Sequence, residues 1–370
     1  METVQKRQKK KKDKKPLYIL AGFLVFFGLF IYLITRPSKQ SKAIKELETS
    51  FNKKDVEMVW YKYKADLYQD EEFLLQTRKK LSILNLTEEE IQECSGWLPP
   101  APKSINLIII PDLSRRIIDT VNNPNQISND IFVLETIWKS FVDNSKLKQD
   151  TKDKLIIDVT DMDQAKGQFG AVADSLQFDL SNHKGKSNRL YFTNEKDKQF
   201  QSSIREMYKL AKEKPLGADY RFYLRRYLVN HIKKPTLFDN YINKVVVITD
   251  GYLEAEGKPA DTKIYGFESQ LHQAVSIGNL LDVITAKGLS IPKVDIDLSN
   301  TEILICEVNE RKYFPFTKIK STGKGFDFEI LKTYWEDWFN RMNIKKPIVF
   351  IQREQANELT AKRVNDFITK

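Results

Sequence analysis

Two segments of the chain place oxygen-bearing side chains directly after strongly apolar runs. Asp112 and Ser114 follow the run 105–110, and Asp250 follows the run 245–249. A carboxylate and a hydroxyl two residues apart on a loop can both turn toward one hard cation, because such ions prefer oxygen ligands. The sequence therefore predicts a site for Mg²⁺ or another divalent cation, formed by Asp112, Ser114 and Asp250.

The same residues support two further interpretations. Asp112 and Ser114 are residue types that commonly cap a helix, and Asp250 followed by Gly251 is typical of a turn. Arg116 stands two residues after Ser114, and its permanent guanidinium charge could replace the charge of a cation. The sequence leaves a bound cation, an arginine-substituted recognition surface and simple capping open.

Other residues with chemical potential give weaker indications. Asp158, Asp161 and Asp163 could form a metal cluster, but aspartates just after a strand mostly form turns and helix starts, and we expect that role here. The chain contains no phosphate-binding loop, no His-Glu-x-x-His motif and no Gly-x-Ser-x-Gly elbow, and its three histidines are far apart in sequence. No residue pattern demands an enzyme.

The segment 104–370 must position these side chains. Short apolar runs alternate there with stretches of helical periodicity, and continuous apolarity is typical of strands that are covered on both faces. The alternation predicts an α/β domain with a Rossmann-like, mostly parallel sheet and helices on both faces. In such sheets ligands bind beyond the carboxyl ends of the strands. The apolar runs are 105–110, 155–159, 245–249, 303–305 and 348–351.

The first 103 residues predict a different organisation. Residues 1–16 form a basic tail, and residues 17–34 form a run without charged side chains that would span about 27 Å as a helix. That run is longer than the apolar part of a signal peptide, so we expect a membrane anchor rather than a cleaved signal. The more basic flank precedes it, which predicts a cytoplasmic amino terminus and an extracytoplasmic main domain. Residues 35–103 predict a helical connector that ends in a proline-rich linker.

The formal net charge of +10 is concentrated in two short segments. Residues 1–16 and 36–45 carry the whole excess of Lys and Arg, and the rest of the chain is balanced. A domain that follows nucleic-acid phosphates needs a basic surface of its own. We therefore expect a protein partner, contact with a membrane through residues 17–34, and no nucleic acid.

The segments IIIPDLSRR and VVVITDGY together resemble the motifs of the von Willebrand factor type A domain. In that family an Asp-x-Ser-x-Ser motif after the first strand and a Thr-Asp-Gly motif after a later strand build a metal-ion-dependent adhesion site. The resemblance implies that Asp112, Ser114 and Asp250 are ligands in such a site. The chain departs from the family where Arg116 replaces the second serine and where Ala218 replaces the loop threonine.

These observations predict a single-pass membrane protein that carries a protein-interaction module for adhesion or for assembly of an envelope complex. Two alternatives remain open. The first is a membrane-anchored, metal-dependent hydrolase that uses Asp112, Asp250 and Asp158. The second is a purely structural component of a membrane machine.

Overall fold

The structure, a computed structural model, describes residues 37–148, 151–183, 191–253, 269–321, 325–353 and 355–370. The chain divides into two compact units, Met1–Pro100 and Ala101–Lys370. Within its described residues, each unit buries large apolar side chains of its own.

Four helices form the described part of the amino-terminal unit. They are α1 (Lys39–Glu48), α2 (Lys53–Leu67), α3 (Glu71–Ser82) and α4 (Glu88–Trp97). Each begins after a polar residue whose side chain accepts a hydrogen bond from the first turn of the helix. The Trp60 ring packs against Phe73 and Trp97, with ring centroids 5.7 Å and 5.9 Å away. The segment predicted as a connector is a packed helical unit.

A six-stranded sheet forms the centre of the carboxyl-terminal unit. The strands stand in the order β3-β2-β1-β4-β5-β6, and neighbours are parallel except for the antiparallel pair β2 and β3. The prediction of a mostly parallel α/β domain is confirmed. The strands are β1 (Lys103–Pro111), β2 (Lys154–Ile157), β3 (Gln177–Asp179), β4 (Asn240–Ile248), β5 (Thr301–Val308) and β6 (Val349–Gln352).

Helices and short turns connect these strands. A 3₁₀ turn at Arg115–Ile118 lies shortly after β1, and a π-helical turn at Leu224–Leu228 lies between two short helices, Tyr220–Tyr223 and Val229–His231. The longer helices contribute buried side chains to the hydrophobic cores that cover the sheet. The helices are α5 (Gln126–Leu147), α6 (Met162–Lys166), α7 (Asn194–Glu213), α8 (Tyr220–Tyr223), α9 (Val229–His231), α10 (Ser269–Ile277), α11 (Leu280–Ala286), α12 (Asp327–Asn340) and α13 (Asn357–Thr369).

Each face of the sheet packs against a hydrophobic core. Successive residues of β1 enter opposite cores, Leu107 on one face and Ile108 on the other. The core of Leu107 includes Phe141 of α5, and the core of Ile108 includes Trp335 and Trp338 of α12. Because both faces are covered, the central strands need no polar side, which explains their continuous apolarity.

The membrane assignment needs correction. The predicted transmembrane helix at residues 17–34 lies outside the described residues. Within the part of the chain that the structure does describe, no helix combines the length and the apolarity needed to cross a membrane. The single-pass topology, and the cytoplasmic and extracytoplasmic sides derived from it, depended on hydropathy and flanking charge alone and are not supported.

We expect Gly251→Ala to destabilise the carboxyl-terminal unit more than Gly278→Ala. Both glycines have positive φ angles, +97° and +75°, so alanine is strained at either position. A Cβ at Gly251 would also lie 3.1 Å from Val308 and 3.2 Å from Leu331, whereas one at Gly278 meets no atom within 4 Å. The extra loss should be about 1–3 kcal/mol in urea unfolding. An equal loss in the free energy of unfolding for the two variants would show that Val308 and Leu331 can move aside for the new Cβ without cost.

Candidate functional site

A pocket of about 190 Å³ opens at the carboxyl ends of β1 and β4, where the strand order reverses. Ligands of open α/β sheets commonly bind at such a reversal. The structure brings the three predicted ligand residues to this pocket together with Arg116, and adds Arg115 and Arg311, to which the sequence assigned no role. The charged residues in its lining are Asp112, Asp119, Asp250, Arg115, Arg116 and Arg311.

Asp112 is buried where the chain leaves β1, and its carboxylate is occupied by protein donors. The backbone N–H of Ser114 donates to Oδ1 at 3.0 Å, and the Thr249 hydroxyl donates to Oδ2 at 2.9 Å. Arg116 Nε lies 3.4 Å from Oδ2. Only 2% of Asp112 is exposed, so these contacts replace the hydration that a free carboxylate would need.

Ser114 caps the 3₁₀ turn that follows β1. Its Oγ accepts a hydrogen bond from the backbone N–H of Arg116 at 3.4 Å, and its own N–H donates to Asp112. The capping role that the sequence left open for this serine is confirmed. The same turn points Arg116 back toward the end of β1.

Asp250 closes the other side of the pocket, directly after β4. Its Oδ1 accepts from the Tyr252 backbone N–H at 3.4 Å, and Arg311 Nη2 lies 3.2 Å from Oδ2. Gly251 supplies the positive φ angle that this tight turn requires. Arg311 follows β5, so the two charges come from neighbouring strand ends.

Arg116 is the centre of a buried ion-pair network. Its Nη2 donates to Asp130 Oδ2 at 2.7 Å and to the Ile248 carbonyl at 2.9 Å, and its Nε donates to the Asp112 carbonyl at 3.0 Å. Burial alone would lower the pKa of Arg116, but the charges of Asp130 and Asp112 raise it above its usual value. The positive charge that a cation would bring is therefore supplied by the protein.

Asp130, on the first turns of α5, was missed by sequence reasoning. It is completely buried, and Gln126 Nε2 at 2.7 Å and the Tyr208 hydroxyl at 3.0 Å donate to its two oxygens. A signal was present, because Asp130 lies four and seven residues before the apolar Leu134 and Ile137 on the same helix face. A charge on such a face implies a buried partner.

The prediction of a metal site is corrected by this geometry. The described residues contain no group of three or more His, Cys, Asp or Glu side chains that could hold a metal ion. Asp112 and Asp250 each face an arginine instead. Ala218, the second departure from the adhesion-site pattern, is buried in a hydrophobic core and brings no oxygen ligand from its side chain.

In the second acidic group, Asp161 and Asp163 lie at a helix start as expected, whereas Asp158 makes contacts distant in sequence. Asp161 caps α6 by accepting hydrogen bonds from the backbone N–H groups of Asp163 and Gln164. Asp158 accepts from the Tyr223 hydroxyl at 3.1 Å and lies 3.2 Å from His231 Nε2. It does not line the pocket of Asp112 and Asp250, so the three aspartates of the hydrolase alternative do not meet there.

Arg353, just after β6, fixes the loop that forms the pocket wall. Its Nη1 donates to Asn123 Oδ1 at 2.5 Å and to Gln126 Oε1 at 2.9 Å, and its Nη2 donates to the Asn122 carbonyl at 2.8 Å. These hydrogen bonds connect the loop that carries Asp119 to the end of β6, an edge strand of the sheet. They hold the pocket wall in one conformation.

Glu307, at the end of β5, is strained and buried beside this network. Its φ angle is +69°, in the left-handed region that few side chains adopt, and the pairing of β5 with β6 shifts register around it. Its Oε2 has no hydrogen-bond partner among the described residues. Burial, together with the charge of Asp130, raises the pKa of Glu307 to about 8.

No protein-family model matches the chain, and no curated protein matches it. The resemblance to the von Willebrand factor type A domain is therefore not supported, and the adhesion-site assignment is withdrawn. The motif that suggested it has a local cause. An aspartate and a serine after a strand satisfy the backbone of a following turn, as Asp112 and Ser114 do here.

We expect Arg116→Met to reduce the free energy of unfolding by about 3–5 kcal/mol, because it leaves the buried carboxylates of Asp130 and Asp112 without their counter-charge. The matched control is Arg115→Met, which removes an exposed guanidinium from the adjacent position and should cost less than about 1 kcal/mol. Urea unfolding of both variants provides the comparison. Similar losses in the two would contradict the central role of Arg116.

We expect Glu307→Gln to flatten the pH dependence of stability between about pH 5 and pH 8. The pKa of Glu307 is higher in the folded state, about 8, than its ordinary value of 4.5. Its contribution is therefore fully present below pH 4.5 and is lost as the pH rises through 8, by at most about 1.4 kcal/mol per pH unit. Thermal unfolding of both proteins across this range measures the effect, and parallel curves would contradict it.

Proposed function

We propose that residues 101–370 form a protein-recognition module whose contact surface is centred on the pocket at the carboxyl ends of β1 and β4. The supporting observation is that guanidinium groups stacked on aromatic rings line this pocket. Arg115 lies 4.2 Å above the Phe316 ring, and Arg311 lies 3.9 Å above the Tyr252 ring. Arginine and aromatic side chains concentrate binding energy at protein interfaces.

We also propose that the sheet belongs to the Rossmann-like, doubly wound class. The strand order β3-β2-β1-β4-β5-β6 and the cores on both faces support this assignment. In that class the loops after the first and fourth strands flank one crevice. The pocket lies at this position, so the fold itself favours a binding role for it.

A recognition role explains the composition of the pocket better than catalysis does. Hydrolysis would require a nucleophile beside a base, or a bound metal ion. Among the described residues, no histidine, cysteine or lysine lines the pocket. The acidic side chains in it are engaged by donors of the protein itself.

The test is site-specific photo-crosslinking with the full chain in the cells that produce it. A benzoylphenylalanine at Phe314, which is 47% exposed beside the pocket, should give a discrete protein adduct. The matched control places the same group at Ser299, an exposed residue before the amino end of β5 and so at the opposite end of the sheet. Identical adducts from both positions, or none from Phe314, would overturn the proposal.

A further inference from the structure

Residues 312–321 form a hairpin beside the pocket, which we call the basic–aromatic hairpin. An antiparallel bridge joins Tyr313 to Lys320, and the Phe314 backbone N–H donates to the Ile319 carbonyl at 2.9 Å. At its tip Phe316 adopts a φ angle of +60°. The hairpin therefore has a defined turn and is closed by backbone hydrogen bonds.

Contacts with the pocket wall hold this hairpin in place. The Tyr313 backbone N–H donates to Asn122 Oδ1 at 3.0 Å, and the Phe316 N–H donates to Asp119 Oδ2 at 3.5 Å. The guanidinium of Arg115 covers one side of the Phe316 ring. The rings are presented in a fixed orientation, so binding would cost little conformational entropy.

The surface of the hairpin is both apolar and basic. Phe314, Phe316 and Ile319 are 47%, 42% and 65% exposed, and the neighbouring Val121 is 38% exposed. Residues 312–321 contain three basic residues, Lys312, Lys318 and Lys320, and no acidic residue. Exposed apolar side chains grouped in one place usually mark an interaction site, and the basic ones select the charge of the partner.

We propose that the basic–aromatic hairpin and the mouth of the pocket bind an acidic protein segment that carries large apolar side chains. This inference rests on the proposed recognition function and names the chemistry of the partner. Apolar side chains of the segment would contact Phe314, Phe316 and Ile319, and its carboxylates would face Lys318 and Lys320.

The shape of the surface favours a protein segment over an anionic lipid bilayer. The Phe316 ring lines the pocket and is partly covered by Arg115, and the hairpin backbone is anchored to Asn122 and Asp119, so this ring is not free to project as an insertion loop. The adjoining pocket is lined by arginine and aromatic side chains, which are residue types enriched at protein interfaces.

The probe is a fluorescent twelve-residue peptide in which Glu-Glu-Leu-Phe is repeated, titrated with the full chain by fluorescence anisotropy. We expect it to bind at least about tenfold tighter than the same peptide with every Glu replaced by Gln, and to weaken as salt increases. Equal affinity for the two peptides would overturn the proposed chemistry.

Three variants locate the binding surface. Lys318→Glu with Lys320→Glu, and separately Phe316→Asn, should each weaken binding at least about fivefold; asparagine tolerates the positive φ angle of Phe316. The control double variant Lys198→Glu with Lys212→Glu makes the same charge change on exposed positions of α7 and should leave affinity unchanged. Equal effects of the two double variants would show only general charge attraction and overturn the inference.

Vesicles of phosphatidylserine and phosphatidylcholine provide the competing probe. Binding of vesicles that depends on Lys318 and Lys320, without binding of the acidic peptide, would overturn the inference in favour of a lipid surface. A protein adduct from Phe314 without peptide binding would retain the recognition function and reject only the acidic partner. These outcomes keep the two proposals separable.

Discussion

The buried ion pair between Arg116 and Asp130 is the interaction on which the pocket depends. It joins the turn after β1 to α5, and the same guanidinium also holds the Ile248 carbonyl at the end of β4. Taking two charges out of water costs several kcal/mol for each ion, and only close geometry with further hydrogen bonds offsets that cost. Gln126 and Tyr208 supply those bonds to Asp130.

This arrangement explains why the site resembles a cation site in sequence and differs from one in structure. A carboxylate pair at the ends of two parallel strands needs a positive charge between or beside its members. Arg116 forms an ion pair with Asp112, and Arg311 forms one with Asp250, so each carboxylate has its own positively charged partner. Because both carboxylates are paired within the protein, the arginines and aromatic rings that stack on each other are the groups that the proposed partner would contact.

The apolar runs predicted the central strands and the parallel sheet because full burial removes any need for polar residues there. They also placed Asp112, Ser114 and Asp250 at one edge. Arg311 could not be assigned to that edge, because its contact with Asp250 spans 61 residues of chain and leaves no local pattern. The membrane and adhesion-site predictions failed for a related reason. Hydropathy and short turn motifs are properties of one segment, and they do not report which distant residues that segment contacts.

The wall of the pocket joins parts of the chain that are very distant in sequence. The hydrogen bond from Tyr313 to Asn122 spans 191 residues, and that from Arg353 to Asn122 spans 231. Contacts of such high order form only after the intervening strands have paired, because the entropy of closing long loops must be overcome first. The proposed recognition surface would therefore form late in folding, and incompletely synthesised or misassembled chains would lack it.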